Sequence, residues 1–472
     1  MSEHQQIDDP GLGVPADILA ITPDEMRRLG YWVVDRTIEH LESLQQQPAV
    51  KEDGADALLA ALGGPLPVAG HSIDEDLATL ADVALANQQH GEHPRYFARV
   101  ASPASYPAIL ADWLGTGMQS VASSWGGGSG TTTVELVALE WLREALGLPA
   151  GSEGVLLSGG SMANITGIIT ARHENGPGVV YLAGQTHSSI GRALPAIGQP
   201  PELVCTVAVD DRFRMSPAEL SDAIARDMAA GRRPSVVVAT AGTTNTGAVD
   251  DLPALSAICR EHGLWLHVDG AYGGPAALTA RGREVLRGLD LVDSFVMDPH
   301  KWLFQPYDVA ALFVRAPGAL ERTFAMYPEY LADLDGSAVD LHNRSLELSR
   351  RSRALKLWLT LRHYGTDTIA SAIERGIALA EYAQRVVEAD PRLAIVTPAQ
   401  LGIVNFAAVG GSDDDHRRAV ADLTAEGRAA ASTTVLSGRT VFRLCVINPA
   451  TTTADLDFTV DRLAKLATAP RA

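Results

Sequence analysis

Basic residues are few beside acidic ones. The chain sets 38 Lys and Arg against 57 Asp and Glu in 472 residues, a formal net charge of −19, and the sequence pI is near 5.1. Nucleic acid or an anionic membrane is a poor main partner for such a surface, because phosphate selects for basic patches. Cysteine is scarcer still. Cys205, Cys259 and Cys445 are far apart, odd in number and in no CxxC pattern. That argues against a disulfide framework or a structural zinc site and favours a reducing cytoplasm. No apolar run is long enough to span a bilayer. The first residues, MSEHQQIDDPG, have neither the basic nor the apolar region of a secretory signal. The nucleotide fingerprints GxGxxG and Gly-Lys-Ser/Thr after a glycine loop are missing too.

What is there is ordinary in bulk. Hydrophobic residues are 46% and charged residues 20%, the balance of a globular protein rather than a disordered one. The length fits two to four domains, or one large fold with appendages. Residues 1–20 are polar and read as a loose arm. From Thr22, TPDEMRRLGYWVVDRTIEHLESL pairs Thr22 with Glu25 in a capping-box pattern and puts Pro23 at the first helical position. Met26, Leu29, Trp32, Val33, Leu41 and Leu44 then share a face. IDEDLATLADVALAN (73–87) predicts a second amphipathic helix. Residues 1–105 thus read as a helical segment too thin for its own core, one that packs on something larger such as a second subunit.

Near residue 107 short β-branched runs begin to alternate with helical stretches. Strands are predicted at 154–157, 179–183, 203–209, 235–240, 264–268, 294–297 and 309–314. Several are apolar without alternation, as strands are when both faces of a parallel sheet are covered. This rhythm predicts an α/β domain over 106–362 with a mostly parallel seven-stranded sheet. Residues 363–472 predict a smaller C-terminal α+β domain. Low complexity is confined to WGGGSGTTT (125–133).

Ligands of open α/β sheets bind beyond the carboxyl ends of the strands. SGGSMANITG follows the 154–157 strand, AGTTNTG the 235–240 strand, DGAYGG the 264–268 strand and DPHKW the 294–297 strand. SGGS leading into a helix suits an anion, since small residues allow close backbone approach and a helix N-terminus favours negative charge. An ordinary strand–helix turn would read the same way. Asp269 ends an apolar strand, where a carboxylate needs a cationic or protonated partner; capping a helix is its plainer role. Lys301 lies between Pro299 and the apolar Trp302, Leu303 and Phe304. Desolvation there would depress its pKa and make it an amine nucleophile, whereas a lone lysine more commonly snorkels to the surface. His187, in QTHSSIGRA, has small polar neighbours that suit a site, although a structural role is commoner for a lone histidine. Together an anion cradle, a buried carboxylate, an amine and an imidazole describe a pyridoxal phosphate site with no metal.

These blocks resemble the group II pyridoxal phosphate-dependent decarboxylases, the family of aromatic L-amino acid decarboxylase. GVLLSGGSMAN, QTHSSIGRA, ATAGTTNTGAVDDL, WLHVDGAYGG, DPHKWL and YPEYL carry the likeness, which runs from about residue 93 to 365 and more weakly to both ends. The resemblance implies the type I aminotransferase fold and decarboxylation of an L-amino acid, aromatic by default, to its amine and carbon dioxide. Lys301 would carry the cofactor covalently, Asp269 would pair with its ring nitrogen, and Ala271 would lie against the ring. His187 would stack on the substrate side. Gly160 and Ser161 would bind the phosphate, with His300 close by and Thr244 near the cofactor. Ser102 would contact the substrate. Tyr330, on a loop over 322–345 with the composition of a lid, would return a proton to the substrate carbon after carbon dioxide leaves. A cytoplasmic homodimer with sites near the subunit interface is also implied.

The chain departs from that family at three places. Asp298 stands where the animal enzymes have asparagine, an unfavourable position for an acid near a phosphate unless it turns away or is neutralised. WGGGSGTTTVEL (125–136) is glycine-rich where the family has a bulkier Ser-Pro-Ala turn, and the loop after Tyr330 is shorter. Acidic and diamino substrates therefore stay open. An aldehyde synthase of the same family is a further alternative, which Tyr330 disfavours because such enzymes typically carry phenylalanine there. Outside the family, Gly159-Gly160-Ser161-Met162-Ala163 approaches the GxSxG elbow of a serine hydrolase with Ser161 as nucleophile. It lacks the last glycine and leaves Lys301 and Asp269 without a role.

Overall fold

The computed structural model describes residues 19–100, 102–326 and 338–469. The chain divides into two compact units, Met1–Gln88 and Gln89–Ala472. In the first, the helix Pro23–Glu42 starts as its sequence suggests: the Thr22 hydroxyl accepts from the Glu25 N–H at 3.3 Å and Pro23 opens the first turn. The Glu25 carboxylate takes Arg28, with contacts of 2.6 and 2.8 Å. The predicted 73–87 helix forms in two parts, an α-helix Ile73–Thr79 capped by Ser72 and a wider π-type stretch Leu80–Leu85. Leu29 is buried, but Met26, Tyr31, Leu59, Leu66 and Leu80 remain exposed.

In the second unit all seven predicted strands form. They are β1 (Glu153–Leu157), β2 (Val179–Ala183), β3 (Val204–Val207), β4 (Pro234–Thr240), β5 (Trp265–Asp269), β6 (Ser294–Met297) and β7 (Ala310–Val314). One sheet holds them in the order β1-β7-β6-β5-β4-β2-β3. Six of them run the same way, and β7 alone runs opposite, between β1 and β6. From Ser235 onward every residue of β4 is buried, as is all of β5, β6 and β7. That two-sided burial is why their sequences are apolar without alternation.

A second, antiparallel sheet follows: β8 (Leu393–Gln400), β9 (Ile403–Ala408), β10 (Ser432–Leu436) and β11 (Arg439–Cys445), in the order β10-β11-β9-β8. The helices Asp413–Ala425 and Thr453–Thr468 share its core, and each opens on a complete capping box, Ser412 with Asp415 and Thr452 with Asp455. One helix, Ala354–Ala389, serves both sheets. Its residues Leu357, Leu361, Ile369 and Ile373 belong to the larger core, and Leu379, Ala380, Ala383 and Val387 to the smaller. It bends at Gly365, whose φ of 71° suits glycine. The expected boundary between 362 and 363 falls just before this bend.

The glycine-rich stretch at 126–130, expected to be a turn, lies in the helical run Trp125–Ala145, which is kinked within it at Gly128, where φ of −172° and ψ of 70° are not helical. The Ser124 hydroxyl caps it, accepting from the Gly127 N–H at 3.1 Å. A Cβ on Gly128 would lie 2.4 Å from the Val121 carbonyl oxygen and 2.5 Å from Thr131 Oγ1, so this glycine permits a close backbone approach rather than a loose loop. Further along, Glu135 pairs with Arg350 at 2.7 Å, both side chains fully buried. Arg350 also donates to the carbonyls of Ala122 and Leu156, each at 2.5 Å, and Glu135 accepts from the Leu156 N–H at 2.9 Å. The pair thus ties this helix to β1 and to the segment before the cap. Removing Glu135 leaves the buried Arg350 with only the more distant Glu347 carboxylate, 3.9 Å away, so Glu135→Ala is expected to lower the stability of the fold by roughly 3 kcal/mol. Urea unfolding of the variant beside the wild type checks this.

Candidate active site

A cavity of about 500 Å³ opens at the carboxyl ends of the parallel strands. The four turns expected to converge all reach it, from Ser158–Met162, Thr240–Thr244, Asp269–Tyr272 and Asp298–Lys301, and His187 joins them from the turn after β2. Of the residues singled out by sequence, Gly160, Ser161, His187, Thr244, Asp269, Ala271, His300 and Lys301 line it. Ser102 does not; its hydroxyl donates to the backbone carbonyl of Lys301. Tyr330 lies outside the described residues, between the helix Ala319–Phe324 and the 3₁₀ turn Leu341–Arg344.

Asp269 is the last residue of β5 and 5% exposed. It caps no helix. One oxygen accepts from its own turn, the Ala271 N–H at 3.0 Å, and the other from Asn164 Nδ2 at 3.0 Å. Both are neutral donors, and a carboxylate has about four acceptor sites, so capacity remains toward the cavity for a cationic or protonated partner. Asn164 belongs to the helix Gly160–Asn175, and its own carbonyl is 3.0 Å from His267 Nε2. His267 Nδ1 meets Ser294 Oγ at 2.8 Å, and Ser294 Oγ accepts from Trp265 Nε1 at 2.8 Å. Only one direction of donation satisfies all of these. The Asn164 amide faces Asp269, so its oxygen must accept from His267 Nε2–H, and Nδ1 then accepts from the Ser294 hydroxyl. The chain Trp265, Ser294, His267, Asn164 therefore points every donor toward the Asp269 carboxylate. Sequence reasoning missed Asn164 and His267 as members of the site, although SGGSMAN and WLHVD contain them.

Lys301 follows β6 in the short helix Pro299–Trp302. Burial opposes its charge, but Asp298, 2.9 Å from Nζ, and Asp269 outweigh burial and raise its pKa. The expected depressed pKa is thus corrected: the apolar neighbours in sequence are not the nearest groups in space. Trp302 turns away to stack on Tyr272, with centroids 5.4 Å apart and planes 10° apart. The carbonyl of Phe304 accepts from Ser105 N at 2.7 Å. His187 caps the helix Ser188–Ala196, its Nδ1 accepting from the Ser189 N–H at 3.2 Å. Surrounding protein lowers its pKa, as burial does for His300. His300 Nδ1 accepts from the Val309 N–H at 3.2 Å.

The N-terminus of the helix Gly160–Asn175 faces the cavity with no side-chain cap. A Cβ on Gly160 would lie 2.7 Å from Asp298 Oδ2 and 3.2 Å from the Ala271 methyl, so only glycine leaves that approach open. The Thr240 hydroxyl is buried without a hydrogen-bond partner. An amine, a carboxylate fixed at a strand end, an open helix N-terminus and a glycine cradle on one cavity fit pyridoxal phosphate, and they define the class: an enzyme of the type I fold that works with this cofactor.

Comparison with known proteins narrows the class. Residues 67–409 match the pyridoxal-dependent decarboxylase conserved domain. The chain is 38% identical over 455 residues to the aromatic-L-amino-acid decarboxylase of Bacillus atrophaeus, covering 93% of this chain and 94% of that one. It is 30% identical over 454 residues to a phenylacetaldehyde synthase of Arabidopsis thaliana, covering 91% and 93%. The crystal structure of Oryza sativa TDC with PLP and tryptamine has a TM-score of 0.90 at 28% identity, covering 95% and 98%. The chain belongs to the pyridoxal-dependent decarboxylase family and is a PLP-dependent carboxy-lyase. Against the serine hydrolase alternative, no hydrogen bond among the described residues joins Ser161 to a histidine.

Burial holds the pKa of His267 down to about 4, with Asp269 pulling weakly the other way. Unfolded, the same imidazole titrates near 6.5. Between those values the unfolded chain binds a proton that the folded chain refuses, so the stabilising contribution is complete above about pH 6.5 and is lost as pH falls toward 4. The loss is on the order of 3 kcal/mol. Denaturant unfolding of the cofactor-free protein across that window, beside His267→Gln, is expected to show a shallower acid loss in the variant.

Proposed function

We propose that this chain decarboxylates an aromatic L-amino acid to the corresponding amine and carbon dioxide. The observation that carries the reading is the meeting of Lys301, Asp269 and His187 on one cavity, in a family member whose 38% identical relative is an aromatic-L-amino-acid decarboxylase. Pyridoxal phosphate, when bound, supplies an electron-withdrawing ring that takes up the electron pair left by the departing carboxylate. The chain's own residues do the rest. Lys301 would hold the cofactor covalently. Asp269, braced by Asn164, would keep positive charge at the ring nitrogen. The N–H groups at Gly160 and Ser161 would receive the phosphate, with His300 beside them and Thr244 near the cofactor. Ala271 would lie against the ring and His187 would stack on the substrate side, the two together orienting the substrate. Ser102 would steady the Lys301 backbone, and Tyr330 would return the proton to the substrate carbon.

The working unit in this reading is a cytoplasmic homodimer with sites near the subunit interface. Residues 1–105 pack on the partner, 106–362 bind the cofactor and 363–472 form the small domain. Exposed Leu110, Leu114, Met118, Val121 and Trp125, close together in sequence, support the interface. Three free cysteines support the reducing compartment. Among the described residues no helix is long and apolar enough to cross a membrane.

Purified protein supplied with pyridoxal phosphate and each common amino acid in turn tests the substrate. Amine release from aromatic L-amino acids is expected, with Lys301→Ala colourless and its activity below detection. Release from glutamate, aspartate or diaminobutyrate alone would overturn the aromatic assignment. Aldehyde and peroxide in place of amine would move the chain to the synthase branch.

A further inference from the structure

We propose that Asp298 governs how Lys301 takes up the cofactor: in the cofactor-free protein the carboxylate holds the lysine as a paired ammonium, and breaking that pair is the step that admits the aldehyde. This rests on the reading of Lys301 as the cofactor lysine. Asp298 stands at the position where a carboxylate would ordinarily cap the following helix, yet it makes no capping bond. It is 1% exposed. Its Oδ2 lies 2.9 Å from Lys301 Nζ and 3.6 Å from His300 Nε2. Its Oδ1 is buried without a hydrogen-bond partner. On the opposite side stands Gly160, where even a Cβ would come within 3.0 Å of both carboxylate oxygens. The acid is therefore wedged between the helix N-terminus and the lysine, almost wholly buried at the wall of the cavity. A buried charge so placed depends on its partner.

An ammonium has no lone pair with which to attack a carbonyl carbon. Burial alone would make Lys301 a free amine, but the geometry puts Asp298 against it and Asp269 close behind. Among the described residues, Tyr307, His187, His300 and Cys445 are the other titratable groups that act on it or that it acts on. In covalent loading the surplus proton first passes from Nζ to water in the cavity. The freed lone pair forms the bond to the aldehyde carbon, that carbon's double bond to oxygen is replaced by one to nitrogen, and the oxygen departs as water with the amine's two remaining hydrogens. No oxidant or reductant is needed. Asp298 then has lost its ammonium, so loading exchanges one arrangement of this buried acid for another.

The test mixes cofactor-free wild type and Asp298→Asn with pyridoxal phosphate, and separately with pyridoxal. It follows the visible absorbance of the covalent linkage from neutral to alkaline pH, with borohydride trapping to locate it at Lys301. Asp298→Asn is expected to load several-fold faster at neutral pH, with the pH midpoint of loading displaced downward, for both aldehydes; Asp298→Ser gives the same comparison if Asp298→Asn does not fold. An unchanged rate and pH profile would sink the proposal. So would acceleration confined to the phosphorylated aldehyde, which would make Asp298 only a repeller of phosphate. If wild type traps no aldehyde at Lys301, the cofactor-lysine reading falls as well, a result distinct from either.

Discussion

Covering both faces of the large sheet leaves β4, β5, β6 and β7 no room for a charge along their length. Asp269 and Asp298 stand where two of those strands stop, and Lys301 one helical turn beyond. The same constraint explains why these groups interact so strongly. Strand ends under a packed sheet are dry enough to sharpen electrostatics, yet they border a cavity through which a ligand can enter. The ion pair Lys301–Asp298 and the neutral donors around Asp269 are two answers to one problem, a carboxylate that is nearly stripped of water.

The fold was legible for a simple reason: buried parallel strands announce themselves as apolar runs between turns. SFVM and LWLHV needed no knowledge of their neighbours. The anchors at strand ends were legible because glycine-rich turns bearing one reactive side chain are unusual. What escaped was anything set by distance across the chain. Asn164 and Asp269 are separated by 105 residues, and His267 and Asn164 by 103. Nothing local in MANITG says that its amide will brace a carboxylate at the end of a distant strand.

Two local errors are instructive. The glycine-rich stretch 126–130 reads as a turn, but Ser124 caps a helical start there and the chain departs from the helix only at the kink of Gly128, which makes a close backbone contact. Lys301 looked like a desolvated amine because Trp302, Leu303 and Phe304 follow it. Asp298, three residues earlier and so one helical turn away, was the more telling neighbour. With the cavity free of cofactor, the buried acid at the end of one strand and the lysine among apolar residues account for one another, since each neutralises the other.

The helix Ala354–Ala389 bears on how this protein could be taken apart. Its early turns fill the core under the large sheet and its late turns fill the core of the small one. A cut at the bend near Gly365 would strip Ile369, Ile373 and Ile377 from the larger core while leaving them on the smaller piece. The two sheets are therefore not interchangeable modules joined by a linker. Recombination between relatives would keep both cores intact only if the crossover left this whole helix, and the surfaces on either side of it, with a single parent.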